Sequence, residues 1–213
     1  MNRLRITELF FSLQGETRTV GLPTFFIRLT GCPLRCSYCD TAYAFTGGTW
    51  YEIDDILNKV AHYNAKYVTV TGGEPLAQKA CISLLTRLCD AGYEVSLETS
   101  GAFDVSLVDK RVVKVIDLKT PGSREVEKNK LENLNYLLPH DQIKFVICDR
   151  LDYEWAKEMM QKFCLTEHCQ VLFSPSFEKQ KAGELADWIL ADQLQVRMQI
   201  QLHKFLWGDV KGR

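Results

Sequence analysis

Three cysteines stand within eight residues in the run Cys32-Pro-Leu-Arg-Cys36-Ser-Tyr-Cys39. Gly31 and Pro33 discourage a helix there, so the three thiolates belong to a loop free to wrap around one object. For thiolates this close together, the natural object is a metal centre. A structural zinc wants four ligands and usually finds its second pair ~15–20 residues further on, whereas the next candidates here, His62 and Cys81, lie much farther along. Thiolates also hold iron–sulfur clusters, and the common ferredoxin spacings each supply a fourth cysteine that is missing from this run. Three ligands leave one iron of a four-iron cluster open. An open iron binds a small molecule directly, which points to chemistry more than to simple electron transfer.

Other residues carry weaker signals of the same kind. In Thr71-Gly72-Gly73-Glu74-Pro75 the paired glycines let backbone approach a ligand where a Cβ would collide, although a plain strand-to-helix turn also explains them. Arg28 sits in the apolar run Phe25-Phe26-Ile27-Arg28-Leu29-Thr30, where an unpaired guanidinium is costly. It needs an anion, either a core carboxylate or a substrate carboxylate suited to its planar fork. Cys81 and Cys89 fall among Leu84, Leu85 and Leu88 at helical spacing, and Cys148 ends an apolar run, so all three read as core. Cys164 and Cys169 are two ligands at most.

Positioning these groups falls to runs of strand character at 24–30, 67–71, 93–99, 112–118, 142–147 and 170–173, with a last one at 196–202. Helical apolar spacing lies between several of them, as in Ile53, Ile56, Leu57 and Val60. The alternation predicts an α/β fold with a parallel sheet. Its size suits a partial, incomplete TIM-like barrel of roughly six parallel strands with outer helices better than a closed eightfold barrel of about 250 residues. Polar and glycine clusters follow the strand ends, where such folds keep their sites. Residues 123–130 form the most charged segment and read as a solvated loop without function.

With 213 residues, 46% of them apolar, the chain supports one core and is expected to form one domain over 1–213. Its 26 basic and 27 acidic side chains leave a formal charge of -1, which argues against nucleic acid or an anionic membrane as the partner. No stretch approaches the length of a bilayer span, and the first residues lack a small-residue cleavage site. The sequence therefore predicts a cytoplasmic protein with reduced thiols.

C-x3-C-x2-C with an aromatic residue before the last cysteine resembles the motif of the radical S-adenosylmethionine (SAM) superfamily. Five further segments narrow the likeness: Phe11-Ser12-Leu13-Gln14-Gly15-Glu16, Cys39-Asp40-Thr41, the Gly-Gly-Glu-Pro element, Glu98-Thr99-Ser100-Gly101 and Gln201-Leu202-His203-Lys204. With Arg28 they occur in order over most of the chain and resemble the 7-carboxy-7-deazaguanine synthase family.

The resemblance implies a 4Fe-4S cluster on Cys32, Cys36 and Cys39 as the catalytic centre. It implies SAM contacts from Tyr38, Asp40, Gly73, Glu74, Ser100, Asp117, Leu118, Lys119, Ser174, Pro175, Ser176 and Phe177. Gly73 and Glu74 would receive the SAM amino group. Leu13, Gln14, Gly15, Arg28, Thr71, Glu98 and His203 would bind the substrate, with Arg28 on its carboxylate, and Thr41 would give an oxygen to Mg2+. The implied substrate is 6-carboxy-5,6,7,8-tetrahydropterin, whose ring contracts with loss of ammonia while SAM is regenerated. Flavodoxin as electron donor and a homodimer are implied in the same way. Two other functions fit part of the pattern: a glycyl-radical-activating enzyme, with no need for Arg28 or the Leu13-Gln14-Gly15 element, and a non-catalytic metal-binding scaffold.

Overall fold

The computed structural model describes residues 2–177 and 179–212. A long strand, β1 (Arg3–Leu13), pairs antiparallel with β2 (Pro23–Leu29) on one side and with the short edge strand β3 (Thr49–Glu52) on the other. The chain continues through α1 (Ile53–Ala61), β4 (Tyr67–Gly72), α2 (Cys81–Asp90), β5 (Glu94–Thr99), β6 (Val113–Asp117) and β7 (Gln142–Ile147). It ends with α3 (Arg150–Lys162), α4 (Leu165–His168), β8 (Gln170–Pro175), α5 (Ala182–Ala191), the two-residue β9 (Arg197–Met198) and α6 (Leu202–Trp207).

The strands form one sheet in the order β3-β1-β2-β4-β5-β6-β7-β8-β9, parallel from β2 onward. Since β3 and β9 do not pair, the sheet stays open, and the architecture is the incomplete α/β barrel expected from the alternation of elements. The antiparallel β1 and β3 were not foreseen. Arg3, Arg5 and Glu8 interrupt the apolar pattern of β1, as is common when a strand is not buried on both faces.

The expected strand at 196–202 requires a correction. Only Arg197 and Met198 pair with β8, and from Leu202 the backbone is helical. The Gln199 amide still donates to the Phe173 carbonyl at 2.9 Å, but the Leu202 amide donates to Gly15 O at 2.9 Å. The last segment is thereby drawn off the sheet and onto the loop after β1.

Strand side chains alternate between faces, and this alternation separates core from cavity. Ile27, Leu29, Val68, Val70, Val95, Leu97, Ile116, Ile143, Phe145 and Ile147 pack into the continuous core with Ile53, Ile56 and Val60 of α1 and Leu84, Leu85 and Leu88 of α2. Each such side chain contributes ~1.5–3 kcal/mol by leaving water. The opposite face carries Arg28, Thr71, Glu98, Asp117, Lys144 and Ser174, all of which line one cavity. Among the described residues no helix is long and apolar enough to cross a membrane.

Candidate active site

The cysteine loop leaves the end of β2 and is held at both ends. The Gly31 amide donates to Ala44 O at 2.8 Å and the Cys39 amide to Cys36 O at 3.2 Å, while the Ser37 amide donates to Ser123 O at 3.0 Å. Arg35 donates its backbone amide to Glu125 Oε1 at 2.5 Å and its guanidinium to Cys32 O at 2.7 Å. The charged segment 123–130, read from sequence as solvent-exposed and without function, therefore buttresses this loop.

Cys32, Cys36 and Cys39 carry free thiols and line the same cavity. Burial pushes the Cys36 thiol up to about 11 and raises Cys32 as well, so the protein alone does not make these two thiols anionic. Metal coordination would deprotonate them. Among the described residues no three His, Cys, Asp or Glu side chains converge on a point where one metal ion could sit. A cubane takes one thiolate at each of three corners, so thiols spread along a cavity wall fit a cluster better than a mononuclear zinc.

The glycine pair has a different reason from the one the sequence suggested. A Cβ on Gly73 would lie 2.2 Å from Gly31 O and 2.9 Å from Cys32 Cβ, and one on Gly72 would lie 2.7 Å from Leu29 O. The close approach is to the chain's own cysteine loop. It is fixed by the Gly73 amide donating to Leu29 O at 3.1 Å and the Glu74 amide to Gly31 O at 2.8 Å. This turn and the thiols thus keep a set spacing, with the Gly73 backbone still on the cavity wall.

The Glu74 side chain does not reach the cavity. It is fully buried, and its carboxylate accepts from the Leu76 amide at 2.9 Å, Thr99 Oγ1 at 2.9 Å, the Ser100 amide at 2.7 Å and Ser100 Oγ at 2.5 Å. Every oxygen is used inside the protein, which ties the end of β4 to the end of β5. Leu118 likewise turns into the core. The other expected contacts, namely Tyr38, Asp40, Ser100, Asp117, Lys119, Ser174, Pro175, Ser176 and Phe177, all face the cavity, as do Leu13, Gln14, Gly15, Arg28, Thr41, Thr71, Glu98 and His203. The cavity has a volume of about 240 Å3.

Arg28 meets the core carboxylate that its sequence context allowed. Its Nε donates to Glu8 Oε1 at 2.6 Å, a cross-strand pair that also accepts from Tyr43 Oη at 2.7 Å. The guanidinium nevertheless lines the cavity, where it offers fork donors to an anion. Opposite it, Glu98 accepts from Thr71 Oγ1 at 3.0 Å and Gln14 Nε2 at 3.4 Å. Burial, together with the Glu16 charge, raises the Glu98 carboxyl above its usual range against the pull of Lys144. Such a group can accept from ring N–H donors and, when protonated, donate. Next to the cysteines, Thr41 Oγ1 donates to Asp40 Oδ1 at 2.9 Å, placing a hydroxyl and a carboxylate side by side in the oxygen chemistry that Mg2+ prefers.

Four polar residues of the cavity had no role assigned from sequence. Lys144 Nζ lies 2.9 Å from Glu16 Oε2 and 3.4 Å from Asp117 Oδ2, whose other oxygen meets Lys119 Nζ at 3.1 Å. Gln201 Nε2 donates to Glu16 Oε1 and to Asp40 Oδ2, each at 3.0 Å, and Lys204 Nζ lies 3.1 Å from Asp40 Oδ2. A signal for Lys144 did exist: it is the one charged residue of Gln-Ile-Lys-Phe-Val-Ile, the same cue that singled out Arg28. Glu16, Gln201 and Lys204 lay inside recognisable segments, but nothing in the sequence shows that they meet.

The open α/β sheet and its three-thiol loop define a radical SAM protein, and residues 26–118 match the Radical SAM superfamily. SuiB from Streptococcus suis shares the fold, with TM-score 0.58 and 16% identity over 80% of this chain and 45% of SuiB. QueE from Escherichia coli is closer, with TM-score 0.76 and 25% identity over 94% of this chain and 95% of QueE. The chain is 43% identical to the 7-carboxy-7-deazaguanine synthase of Koribacter versatilis, covering 98% of this chain and 100% of the relative. It is 33% identical to the Thermoplasma acidophilum synthase over 97% and 99%. The chain belongs to the 7-carboxy-7-deazaguanine synthase family of radical SAM enzymes.

Proposed function

We propose that this enzyme converts 6-carboxy-5,6,7,8-tetrahydropterin to 7-carboxy-7-deazaguanine and ammonia, a ring contraction on the route to queuosine and other 7-deazapurines. The observation that carries the reading is that the three thiols share one small cavity with Arg28, Thr71, Glu98 and His203. When bound, a cluster with SAM on its open iron supplies one-electron cleavage of SAM and hence a carbon radical able to take hydrogen from the substrate. Cys32, Cys36 and Cys39 hold that cluster. The Gly73 backbone, Ser100, Asp117, Lys119, Tyr38 and residues 174–177 line the SAM side.

The chain's own groups do the positioning. Arg28, kept in place by Glu8 and Tyr43, takes the substrate carboxylate. Gln14, Thr71 and Glu98, already joined by hydrogen bonds, match the donor and acceptor edge of the pterin. His203, whose basicity is lowered by burial, is neutral near pH 7 and can both donate and accept. Thr41, with Asp40 beside it, gives oxygen to Mg2+, a metal that keeps its other positions for water and substrate. Apolar side chains of Phe10, Leu13, Phe26, Leu34, Phe45 and Val146 line the same cavity, which favours exclusion of water around a reactive species. In the same reading the enzyme works as a single-domain cytoplasmic homodimer and draws electrons from flavodoxin, as the family likeness implies.

The test is anaerobic reconstitution with iron and sulfide, then incubation with SAM, reductant, Mg2+ and the carboxypterin, followed by mass spectrometry. The expected result is about four irons per chain, lost on Cys36→Ala, and formation of 7-carboxy-7-deazaguanine with ammonia. A fully loaded enzyme that cleaves SAM yet yields no deazaguanine would reject the substrate.

A further inference from the structure

The polar residues of the cavity form one connected chain. It runs from Lys119 through Asp117, Lys144, Glu16 and Gln201 to Asp40 and Lys204. The chain crosses the cavity from the end of β6 and the middle of β7, past the loop after β1, to the cysteine loop and α6. Lys144 is its centre. It is the register partner of Asp117 across β6 and β7, its side chain is 14% exposed, and it alone of the named cations touches Glu16.

We propose that Lys144 is a positioning residue that fixes the substrate-facing loop, through Glu16, against the SAM-facing end of β6. The two contacts are unequal. Asp117 keeps Lys119 at 3.1 Å if Lys144 is lost and meets Lys144 only at 3.4 Å. Glu16 meets Lys144 at 2.9 Å and is otherwise held by the neutral amide of Gln201. Removing the ammonium therefore strands one carboxylate, Glu16, immediately after Leu13-Gln14-Gly15, and crowds it against Glu98. An uncompensated buried charge is a large penalty, relieved by whatever movement brings it to water. The movement open to Glu16 is displacement of its loop and, through Gln201 and the Leu202 amide bound to Gly15 O, of α6 with His203. The effect falls on the substrate side of the cavity and largely spares the SAM side.

This inference rests on the proposed substrate, and its test keeps the two apart. In the reconstituted enzyme, Lys144→Met is expected to raise KM for 6-carboxytetrahydropterin at least about tenfold, while SAM affinity, measured by equilibrium dialysis without substrate, changes far less. Adding Glu16→Gln to Lys144→Met removes the stranded charge, so the double variant should recover part of the loss. The two changes must then be strongly non-additive. If Lys144→Met does not hold its cluster, Lys144→Gln, which keeps a donor, carries the same comparison. A merely structural lysine would lower the melting temperature and weaken SAM and substrate binding in parallel. That outcome, an unchanged KM, or additive effects would each overturn the assignment. Failure of the wild-type enzyme to form product would instead sink the substrate reading, while wild-type turnover with an indifferent Lys144→Met would sink only the role of Lys144.

Discussion

Gly15 is the position at which one methyl group tests the geometry of the substrate side most severely. Its φ is not in the left-handed region, so alanine meets no backbone strain there. The obstacle is His203: an ideal Cβ would lie 2.2 Å from Nδ1, 3.0 Å from Cγ and 3.2 Å from the His203 amide nitrogen. Ordinary contact begins near 3.4 Å, so Nδ1 must retreat by the difference, about 1.2 Å. The imidazole cannot swing away alone, because the amide nitrogen is also crowded and the adjacent Leu202 amide is bonded to Gly15 O. The start of α6 has to move with it. Overpacking of this kind costs ~1–3 kcal/mol, and a displacement near 1 Å of a positioned group costs on the order of 100-fold in rate.

Gly15→Ala should therefore lower kcat/KM for the carboxypterin by about two orders of magnitude with cluster content intact, as read by product formation under anaerobic conditions and by iron analysis. Adding His203→Ala should return most of the lost stability but none of the activity, because it removes the clash together with the ring. A Gly15→Ala enzyme with wild-type kcat/KM and melting temperature would show that His203 does not stand where this reasoning needs it.

Glu74→Gln should destabilise the fold by ~1–3 kcal/mol, since an amide NH2 must face the Leu76 amide or the Ser100 donors at a buried site. Urea unfolding should show a lower midpoint at unchanged slope, and an unmoved midpoint would mean that this carboxylate is not the tie between β4 and β5. For pH, burial holds His203 below its usual value of 6.5, so as pH falls through that value the unfolded chain gains a proton that the folded chain resists. The stability associated with neutral His203 is thus complete above about pH 6.5 and declines below it. His203→Gln should lose less stability than wild type between pH 7 and 5.5, and superimposable stability curves would contradict the burial argument.

Much of this protein was legible in its residue order, for identifiable reasons. Three thiols in one loop are a local feature, because glycine and proline bend the chain there whatever surrounds it. The βα alternation is equally local: periods of 2 and 3.6 in apolar residues are the direct imprint of strands and helices that bury one face. Hence the parallel strands β2 and β4 to β8, α1, α2 and the position of the metal loop were all readable. The antiparallel β1 and the break at Leu202 were not. β1 carries charges that find their partners only across the sheet, as Glu8 does with Arg28, and the last segment leaves its strand because a carbonyl at Gly15 captures it.

The same limit applied within the site. From sequence, Glu74 and Gly73 are adjacent and share one expectation, yet successive side chains point apart: the carboxylate closes on Thr99 and Ser100 while the glycine backbone meets the cavity. Arg28 could be assigned an anion but not a choice between a core and a substrate carboxylate, and in the fold its Nε is paired with Glu8 while the residue also lines the cavity. Lys144, Glu16 and Gln201 are separated by long stretches of chain and acquire a common purpose only when β7, the loop after β1 and α6 converge. Sequence determines which groups are present and how each short stretch folds, since those depend on neighbours along the chain. Which groups share a cavity, and with which charge each is neutralised, depends on neighbours in space, and tertiary packing alone decided that.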